Sequence, residues 1–461
     1  MRPILSVLAV AAISVTTIGA GDAAAAPYEL RTHTPDLKKA IANKLEVKRP
    51  LKFGMIKLTD SIPIIAAKEL GYFAAEGLNV SIEVQPNWKA VNDRLINGEL
   101  DGSHMLYGHP LGAAIGFGAS AALVVPYNIC INGMGITVSN ALWEAMKAKD
   151  PAIAQPSRAD TLKAIAGERK AAGKPLTMFM TFPAGSHNIN IRYWLAAGGV
   201  HPGFYQGLSD PKGVTDADVI LTTNPPPQMA QAMAQGNCDA FCVGEPWNML
   251  VTMKEQTGRM VMPSHHLVAG SPDKVFAMTE AFTNANPNTT KAIVRALIRA
   301  GRWLDESMDN RRLAASMLAH KSYIGADVGI ISESITGTLT YNMDSGKADR
   351  RPEPDFNVFS KKYASYPLKT HAVWGLTQFR RWGMVPETKP DAWYQQVADR
   401  TWRPDLYKAA FDSLVADGLA KADEVPADDL LPMPAEAFID RIPFDPRQPN
   451  AYLQRFTIGL K

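Results

Sequence analysis

Short apolar segments that look like strands alternate with amphipathic helical segments in two separate parts of this chain, and that alternation restricts the possible folds most. In the first part, residues 51–58 have the pattern of a strand, residues 62–75 of a helix and residues 80–84 of a second strand. Pro63 lies in the first turn of the helix, where its missing N–H costs nothing. A second set of strands and helices covers residues 176–247. Two such sets predict an α/β protein with two lobes.

Changes in composition divide the chain into six segments. We expect residues 1–25 to be a signal peptide, 26–50 an N-terminal extension, 51–149 the first part of lobe 1, 150–265 lobe 2, 266–420 the return to lobe 1 with the C-terminal helices, and 421–461 a Pro-rich C-terminal tail. Lobe 1 is therefore predicted to consist of two stretches that lobe 2 separates in sequence.

The first 26 residues have the layout of a secretory signal. Arg2 precedes an apolar run over residues 4–18, and the Ala-rich residues 23–26 follow it as a cleavage region. The run is too short to cross a membrane, and an uncleaved N-terminal anchor is the alternative. One Arg gives no twin-arginine signal, and no Cys lies near the cleavage region to carry a lipid. We therefore predict Sec-dependent export to the periplasm, with cleavage after Ala25 or Ala26 and no lipid anchor.

The charge balance argues against a nucleic-acid partner. The sequence has 48 Lys and Arg residues against 45 Asp and Glu residues, and the basic residues form no block or stripe. Its three cysteines are too few for a disulfide scaffold or for a structural zinc site made of cysteines alone. Cys238 and Cys242 would lie roughly 13 Å apart on one strand, beyond disulfide reach, so we predict buried free thiols.

No catalytic signature is evident in the sequence. It contains no G-x-S-x-G, no H-E-x-x-H and no Walker-type phosphate loop. His265 and His266 are adjacent, but neighbouring residues on a strand point apart, and no acidic residue lies at ligand spacing. We therefore expect no enzyme activity, no cofactor and no metal site. Two α/β lobes after an export signal instead suggest a binding protein that holds its ligand in the cleft between the lobes.

Seven motifs in order along the chain carry a resemblance to a known family. They are LTDSIPIIAAKELGYF at residues 58–73, RYWLAAGG at 192–199, PPPQM at 225–229, FCVGEPWN at 241–248, SPDKVF at 271–276, HAVW at 371–374 and RRWG at 380–383. Together they resemble the nitrate- and bicarbonate-binding branch of the ABC-transporter substrate-binding proteins over about residues 51–383. The resemblance implies a two-lobed periplasmic-binding-protein clamp, type II-like, that binds a small oxyanion and presents it to an ABC permease in the inner membrane.

The same resemblance implies a set of ligand-binding residues. Nitrate-binding members of the family use a Trp, a His, a Gln and a Lys from both lobes. By motif position the Trp would be Trp88, the His would be His187 and the Lys would be Lys274. The Gln position falls near Met134, so this chain departs from the family there. The loss of one polar partner leaves the identity of the anion open.

The chemistry of the three matching residues suits an anion. Lys274 can neutralise its charge, His187 can donate a directional hydrogen bond, and Trp88 can add an indole N–H and an apolar wall. Each residue also has a structural alternative: Lys274 as a solvated surface lysine, His187 as a residue near a helix cap, and Trp88 as a core anchor. The motif context favours the binding roles.

Two predicted helix starts would add backbone donors to the site. With Ser186 as the N-cap, His187 would lie in the first turn of a helix, where free N–H groups favour an anion. Thr59, Asp60 and Ser61 begin another helix and are expected to offer backbone donors from the opposite side of the cleft.

The Lys at position 274 favours a fully ionised anion that only accepts hydrogen bonds. Bicarbonate binders of this branch are similar but have an acidic residue at that position with a calcium ion nearby, whereas Lys274 would repel a cation. We therefore predict nitrate or nitrite, with bicarbonate or an alkylsulfonate as alternatives. A nitrate-sensing regulator of the same fold would lack the export segment. A pyrimidine-precursor enzyme of the fold would need a Cys-dense motif, which Cys238 and Cys242 alone do not make.

Some conspicuous residues near the cleft are expected to have structural roles. Residues 238–248 run from an apolar strand into an exit from the second lobe toward the hinge. We expect Glu245 and Trp247 in this segment to stabilise the structure without holding ligand. His104 and His109 are expected to find hydrogen-bond partners locally, as a single His usually does.

Overall fold

The computed structural model describes residues 27–460, which form two lobes built around two separate β-sheets. The predicted signal peptide, residues 1–25, lies outside the described residues. Between residues 27 and 460, no helix combines the length and the apolar character that crossing a membrane requires. The α/β architecture with two lobes, predicted from the alternation of strands and helices, is confirmed.

The sheet of lobe 1 has six strands. In spatial order they are Asn357–Val358, Leu123–Asn132, Pro272–Thr279, Gly102–Leu106, Leu51–Met55 and Val80–Val84. The last three are parallel to one another, as strands joined by helices are. Pro272–Thr279 is antiparallel to both of its neighbours and places Lys274 opposite Leu106. Lys274 therefore lies beside the carboxyl end of a parallel strand, the edge where open α/β sheets bind ligands.

The sheet of lobe 2 has five strands. In spatial order they are Ile220–Thr223, Thr177–Met180, Ala240–Gly244, Met134–Ser139 and Gly258–Pro263. Met134–Ser139 is antiparallel to both of its neighbours, whereas the first three strands are parallel. The sequence-based boundary at residue 150 differs from this pairing. Lobe 2 begins at Met134, because the chain leaves the first sheet at Asn132 and at once joins the second.

Helices cover the faces of both sheets. Those of eight or more residues are Ile62–Glu69, Trp88–Ile96, Gly108–Ile115, Asn140–Lys149, Leu162–Ala171, Ser186–Ala197, Pro226–Ala234, Pro287–Glu306, Met308–Ala319, Val328–Thr336, Lys369–Arg381, Asp391–Thr401 and Pro404–Ala416. Shorter helices are Leu37–Ala42, Tyr72–Ala75, Trp247–Met249, Ser264–Leu267, Glu280–Ala285 and Pro449–Leu453. In the longest helix, Ile293, Leu297 and Leu304 recur at the spacing of one helical face and are buried in the core of lobe 1.

Both terminal segments pack onto this framework. In the N-terminal extension, Glu46 accepts a 2.8 Å hydrogen bond from the backbone N–H of Thr289 and so caps the longest helix at its positive end. In the tail, the Oη atom of Tyr452 accepts a 3.1 Å hydrogen bond from the indole of Trp374, and Phe438 is buried. The segment that we predicted as a Pro-rich tail is thus a packed part of the protein.

A glycine with positive φ shapes the first crossing between the lobes. Gly133 has a φ of 88°, and a Cβ atom there would lie 2.1 Å from Oδ1 of Asn357. We expect Gly133→Ala to lower the free energy of unfolding by more than about 3 kcal/mol, because it adds a steric clash to left-handed backbone strain. Gly98→Ala is the matched control, since Gly98 has a φ of 73° and no atom within 4 Å of the added Cβ. It should cost about 1–2 kcal/mol. Urea denaturation measures both values, and equal losses would contradict the steric explanation.

Candidate functional site

Lys274 lies at the centre of a buried charged cluster between the lobes. Its side chain is fully buried, and its Nζ atom is 2.9 Å from Oδ2 of Asp60 and 2.5 Å from Oδ2 of Asp273. Asp60 belongs to the single helical turn Thr59–Ser61, which leads into the first long helix of lobe 1. Both carboxylates are themselves fully buried. One ammonium group therefore faces two carboxylates away from solvent.

Irregular strand pairing explains how two adjacent residues reach the same cluster. On a regular strand, the side chains of Asp273 and Lys274 would point to opposite faces of the sheet. The pairing with Leu123–Asn132 shifts register on both sides of Lys274, between Pro272 and Val275. A bulge of this kind bends the strand and changes the direction of a side chain, so both residues can face the cleft.

The charges within the cluster influence one another's protonation. Burial tends to lower the pKa of Lys274, but the carboxylates of Asp273 and Asp60 outweigh it and raise that pKa above its ordinary value. Burial tends to raise the pKa of Asp60, but Lys274 and His104 outweigh it and lower that pKa. For Asp273, burial is opposed by Lys274 and assisted by the charge of Asp60, and the pKa is raised to about 6. Lys274 is therefore charged, and its carboxylate neighbours compensate that charge.

His104 holds Asp60 in place. The backbone N–H of Ile56 donates to Nδ1 of His104 at 3.4 Å, so the ring proton is on Nε2, which donates to Oδ1 of Asp60 at 2.8 Å. Burial lowers the pKa of His104 despite the adjacent carboxylate, which agrees with a neutral ring. The expectation that His104 finds its partners locally is confirmed.

His187 approaches the cluster from lobe 2. Its Nδ1 atom is 2.5 Å from Oγ1 of Thr181, and its Nε2 atom has no hydrogen-bond partner in the part of the chain that the structure describes. That Nε2 atom lies 3.9 Å from Oδ1 of Asp273. Burial, followed by the charge of Lys274, lowers the pKa of His187, so the ring is neutral. We assign the Thr181 hydroxyl as the donor to Nδ1, which places the ring hydrogen on Nε2 and makes that atom a donor without an acceptor among the described residues.

Ser186 does not cap the helix that begins beside His187, contrary to the sequence-based expectation. The N-cap of Ser186–Ala197 is Gly185, and Ser186 is the first helical residue. Its hydroxyl instead donates to Oδ1 of Asp273 at 2.6 Å, which links lobe 2 to the charged strand of lobe 1. The cap position differs because Gly185 has the extended backbone that an N-cap requires.

Trp88 supplies a second unpartnered donor. It is the first residue of Trp88–Ile96, where Asn87 caps the helix by accepting a hydrogen bond from the backbone N–H of Ala90. The indole Nε1 is buried, and no other residue in the described range accepts a hydrogen bond from it. The indole ring centroid is 6.0 Å from Nζ of Lys274. Trp88 therefore forms a wall of the cluster, and its N–H remains available.

We expected His109 to find hydrogen-bond partners locally, and the structure contradicts that expectation. Its ring packs between Trp88 and Phe182, with centroid distances of 5.5 Å and 4.4 Å. Neither ring nitrogen has a hydrogen-bond partner within residues 27–460. Burial lowers its pKa to about 3, so the ring is neutral and offers one donor and one acceptor. The available signal was its place in the first turn of Gly108–Ile115, just after the strand that ends beside Lys274.

The segment after Ala240–Gly244 contacts lobe 1 directly. A Cβ atom on Gly244 would lie 3.2 Å from Oδ2 of Asp60 and 3.5 Å from Nζ of Lys274, so this glycine forms part of the wall around the cluster. Two hydrogen bonds join the lobes nearby: the backbone N–H of Thr59 to the carbonyl of Glu245 at 2.7 Å, and the indole of Trp247 to the carbonyl of Lys57 at 3.0 Å. The lobes are therefore closed around the cluster, and Trp247 helps to hold them together.

The four other predicted residues are Thr59, Asp60, Ser61 and Met134, and of these Thr59 and Ser61 do not provide the expected backbone donors. The backbone N–H of Thr59 is used by Glu245, and that of Ser61 donates to Leu58 at 3.2 Å. Of the Thr59–Ser61 turn, only the Asp60 side chain contacts Lys274, and it does so as an acceptor. Met134 lies opposite Gly244 in the lobe 2 sheet, and its sulfur accepts a 2.7 Å hydrogen bond from the side-chain amide of Asn190. Met134 thus adds no hydrogen-bond donor beside Lys274.

A cavity of about 530 Å³ opens between the lobes, and it is lined by His109 but not by Trp88, His187 or Lys274. Lobe 1 lines it with the helices Trp88–Ile96 and Gly108–Ile115, including His109, and lobe 2 lines it with Phe182 and Ala184. The cavity gives a small solute space next to the His109 ring.

The arrangement is suited to holding an anion. Trp88 and His187 present neutral N–H donors from different lobes, and Lys274 adds a positive charge. A buried donor without an acceptor costs about 1–3 kcal/mol, so an oxygen-rich anion that satisfies both donors would be stabilised. The carboxylates of Asp60 and Asp273 oppose this, because they already pair with Lys274 and would repel a second anion.

The chain is similar to known proteins in both sequence and structure. Residues 44–319 match the NMT1-like family. The chain is 32% identical over 431 residues to the nitrate/nitrite binding protein NrtA of Nostoc sp. (strain PCC 7120), covering 92% of this chain and 89% of that protein. It is 29% identical over 426 residues to the bicarbonate-binding protein CmpA of Synechococcus elongatus, covering 90% and 88%. The crystal structure of the periplasmic nitrate-binding protein NrtA from Synechocystis PCC 6803 superposes with a TM-score of 0.78 at 28% identity, over 90% of this chain and 100% of that chain.

Proposed function

This chain belongs to the NMT1-like family, and from that premise we propose that it is the solute-binding component of an ABC importer for a small inorganic oxyanion, nitrate or nitrite. The observation that carries the proposal is the pair of free N–H donors from opposite lobes, Trp88 and His187, beside the charged Lys274. The similarity to a nitrate/nitrite binding protein over 92% of the chain supports the same anions. The family resemblance that the motifs predicted is confirmed.

A planar anion with three acceptor oxygens fits donors that converge from different directions. Trp88 would donate from a helix of lobe 1 and His187 from a helix of lobe 2, while Lys274 would neutralise the charge from the central sheet. The anion would take the place of the Asp273 carboxylate beside Lys274. Because the ligand then contacts both lobes, it stabilises the closed form.

Closure is the mechanism that follows from this geometry. The Thr59 to Glu245 and Trp247 to Lys57 hydrogen bonds exist only when the lobes meet, so they favour the closed form together with the anion. We expect an inner-membrane ABC permease to recognise that closed form. Delivery from the periplasm, after export by a Sec-type signal without a lipid anchor, is part of the same proposal. The chain would bind its solute without converting it.

Bicarbonate is the second candidate. Unlike nitrate, bicarbonate carries an O–H group, and the carboxylates of Asp60 and Asp273 are buried acceptors that could receive it. Neutral His109 offers a further acceptor. Lys274 disfavours the calcium ion that bicarbonate binders of the family have nearby, so bicarbonate ranks below nitrate and nitrite.

A ligand panel tests the proposal. We expect nitrate or nitrite at about one hundred times its dissociation constant to add about 2.7 kcal/mol to the stability of the processed protein, which raises its Tm by about 3 °C or more. The panel adds bicarbonate with and without calcium, an alkylsulfonate, and chloride as the ionic-strength control. A shift with bicarbonate but not with nitrate would favour the second candidate. The absence of a shift with every inorganic anion would overturn the proposal.

A further inference from the structure

Two adjacent histidines and a glutamate from a distant part of the chain converge at a second place, outside the cleft. The Nε2 atoms of His265 and His266 lie 2.7 Å and 3.1 Å from the same oxygen, Oε2 of Glu353. The two imidazole rings are 4.2 Å apart between centroids, and one nitrogen or oxygen atom of each side chain lies within 4.8 Å of the others. No other group of three or more His, Cys, Asp or Glu residues in the described chain comes together in this way.

The sequence-based interpretation of this histidine pair was wrong. It assumed that His265 and His266 lie on a strand and point apart, with no acidic residue at ligand spacing. The strand ends at Pro263, and Ser264–Leu267 form a helical turn in which both rings can face the same side. The acidic partner, Glu353, comes from 88 residues further along the chain than His265.

We propose that His265, His266 and Glu353 form a binding site for a divalent transition metal ion, with zinc as the ion that matches it best. Two imidazole nitrogens and one carboxylate oxygen are ligands that zinc prefers, and a fourth position would be filled by water. Calcium would need six to eight oxygen ligands, and magnesium a near-octahedral set of oxygens, neither of which these side chains supply.

The neighbours of Glu353 support a ligand role. Its other oxygen, Oε1, accepts a 2.6 Å hydrogen bond from the hydroxyl of Tyr341, which turns Oε2 toward the histidines. A hydrogen bond that orients a ligand carboxylate is a common second layer of metal sites.

Exposure gives an ion a path to the site. The side chain of His266 is 40% exposed, whereas those of His265 and Glu353 are 9% and 11% exposed. His265 and Glu353 are therefore held by the protein interior, and His266 faces solvent. In the metal-bound form each histidine would bind through Nε2 and carry its hydrogen on Nδ1.

The site lies where the chain returns from lobe 2 to lobe 1. His265 and His266 follow Gly258–Pro263 of lobe 2 and precede Pro272–Thr279 of lobe 1. Glu353 follows Arg350–Pro352, which pairs with Thr338–Thr340. A bound ion would therefore tie the returning crossover to this small hairpin. The site shares none of its residues with the Lys274 cluster, so the metal proposal does not depend on the identity of the transported anion.

Titration with zinc tests the proposal, and it uses the whole chain without its signal peptide after treatment with a chelator. Isothermal calorimetry should show one saturable zinc site. Loss of a second-layer group costs about 10- to 100-fold in metal affinity, so we expect Tyr341→Phe to weaken zinc binding about tenfold. Glu353→Gln and His265→Ala each remove a ligand and should weaken zinc binding by more than about 100-fold. His266→Ala should have a similar effect at an exposed position, where the risk to folding is smallest. His320→Ala, a histidine outside the cluster, is the matched control and should bind zinc as the wild type does.

Two results would overturn the metal site. One is wild-type protein that does not saturate with zinc. The other is Glu353→Gln and His266→Ala variants that bind zinc as tightly as the wild type while circular dichroism shows them folded. Nitrate affinity measured on the same chelator-treated samples separates this proposal from that of anion transport, because each can fail while the other holds.

Discussion

Lys274→Met is expected to weaken nitrate binding by at least about 100-fold and to lower the free energy of unfolding by about 3–5 kcal/mol. Truncating one partner of a buried charge pair costs about 2–5 kcal/mol in binding, and the anion loses the positive neighbour that Lys274 supplies. The stability loss arises because Asp60 and Asp273 remain buried without a counter-charge. Calorimetry with nitrate measures the first effect and urea denaturation the second.

Because a loss of stability can by itself reduce nitrate binding, two further variants are compared with Lys274→Met. The triple variant Asp60→Asn, Asp273→Asn, Lys274→Met removes all three buried charges at similar volume and should recover most of the stability, since neutral replacement of a buried ion group is often tolerated. It should not recover nitrate binding. Lys52→Met, at an exposed position of the lobe 1 sheet, is the matched control and should change neither quantity. If the stable triple variant binds nitrate within a few-fold of the wild-type affinity, Lys274 is not part of the binding site.

The elements that local signals define were predictable from the sequence. The first helix of lobe 1 begins at Ile62 with Pro63 in its first turn, as predicted, although Ser61 makes no side-chain capping hydrogen bond and the helix ends at Glu69 instead of residue 75. The periodicity of Pro287–Glu306 gave a helix with one buried face, and the three cysteines are free and buried. Such features depend on residues within a few positions of one another, which is why the pattern of the sequence is sufficient for them.

The partners of the site residues were not predictable in the same way. The pairing of Lys274 with Asp60 depends on where the strands of lobe 1 lie and on a bulge that no local motif marks. The approach of His187 and Gly244 depends on closure of the lobes. The position of residue 134 in lobe 2 depends on strand pairing, which composition does not encode. Long-range register therefore determines the electrostatics of the site, and the motifs identify only its members.

The two carboxylates around Lys274 give the site a property that the motif residues alone would not have. A site made only of Trp88, His187 and Lys274 would carry a net positive charge. In the structure the lysine charge is already compensated, so an incoming anion competes with Asp273 for Lys274. The affinity for the anion is then set by how readily that carboxylate gives up its place or its charge.

Asp273→Asn is accordingly expected to tighten nitrate binding by about tenfold or more at about pH 8. A unit negative charge about 5 Å from a bound anion costs about 3 kcal/mol at an effective dielectric constant of about 20, and the substitution removes it. Asparagine keeps the volume of the side chain and can still accept the hydrogen bond of Ser186, so the local structure is preserved. Calorimetric titration with nitrate measures the gain, and unchanged or weaker binding would contradict the competition between Asp273 and the anion.

The charge of the Asp273 carboxyl also determines how nitrate affinity changes with pH. Because burial and Asp60 raise the pKa of Asp273 to about 6, lowering the pH from about 8 to about 5 protonates this carboxyl and should tighten nitrate binding, since nitrate itself stays ionised. The other groups that face it do not titrate in that window: the pKa values of Asp60 and His187 are lowered, and that of Lys274 is raised. Asp273→Asn should therefore bind nitrate tightly at both pH values. If the wild-type affinity for nitrate falls with decreasing pH, a group other than Asp273 controls it. The same conclusion follows if the nitrate affinity of Asp273→Asn still changes with pH.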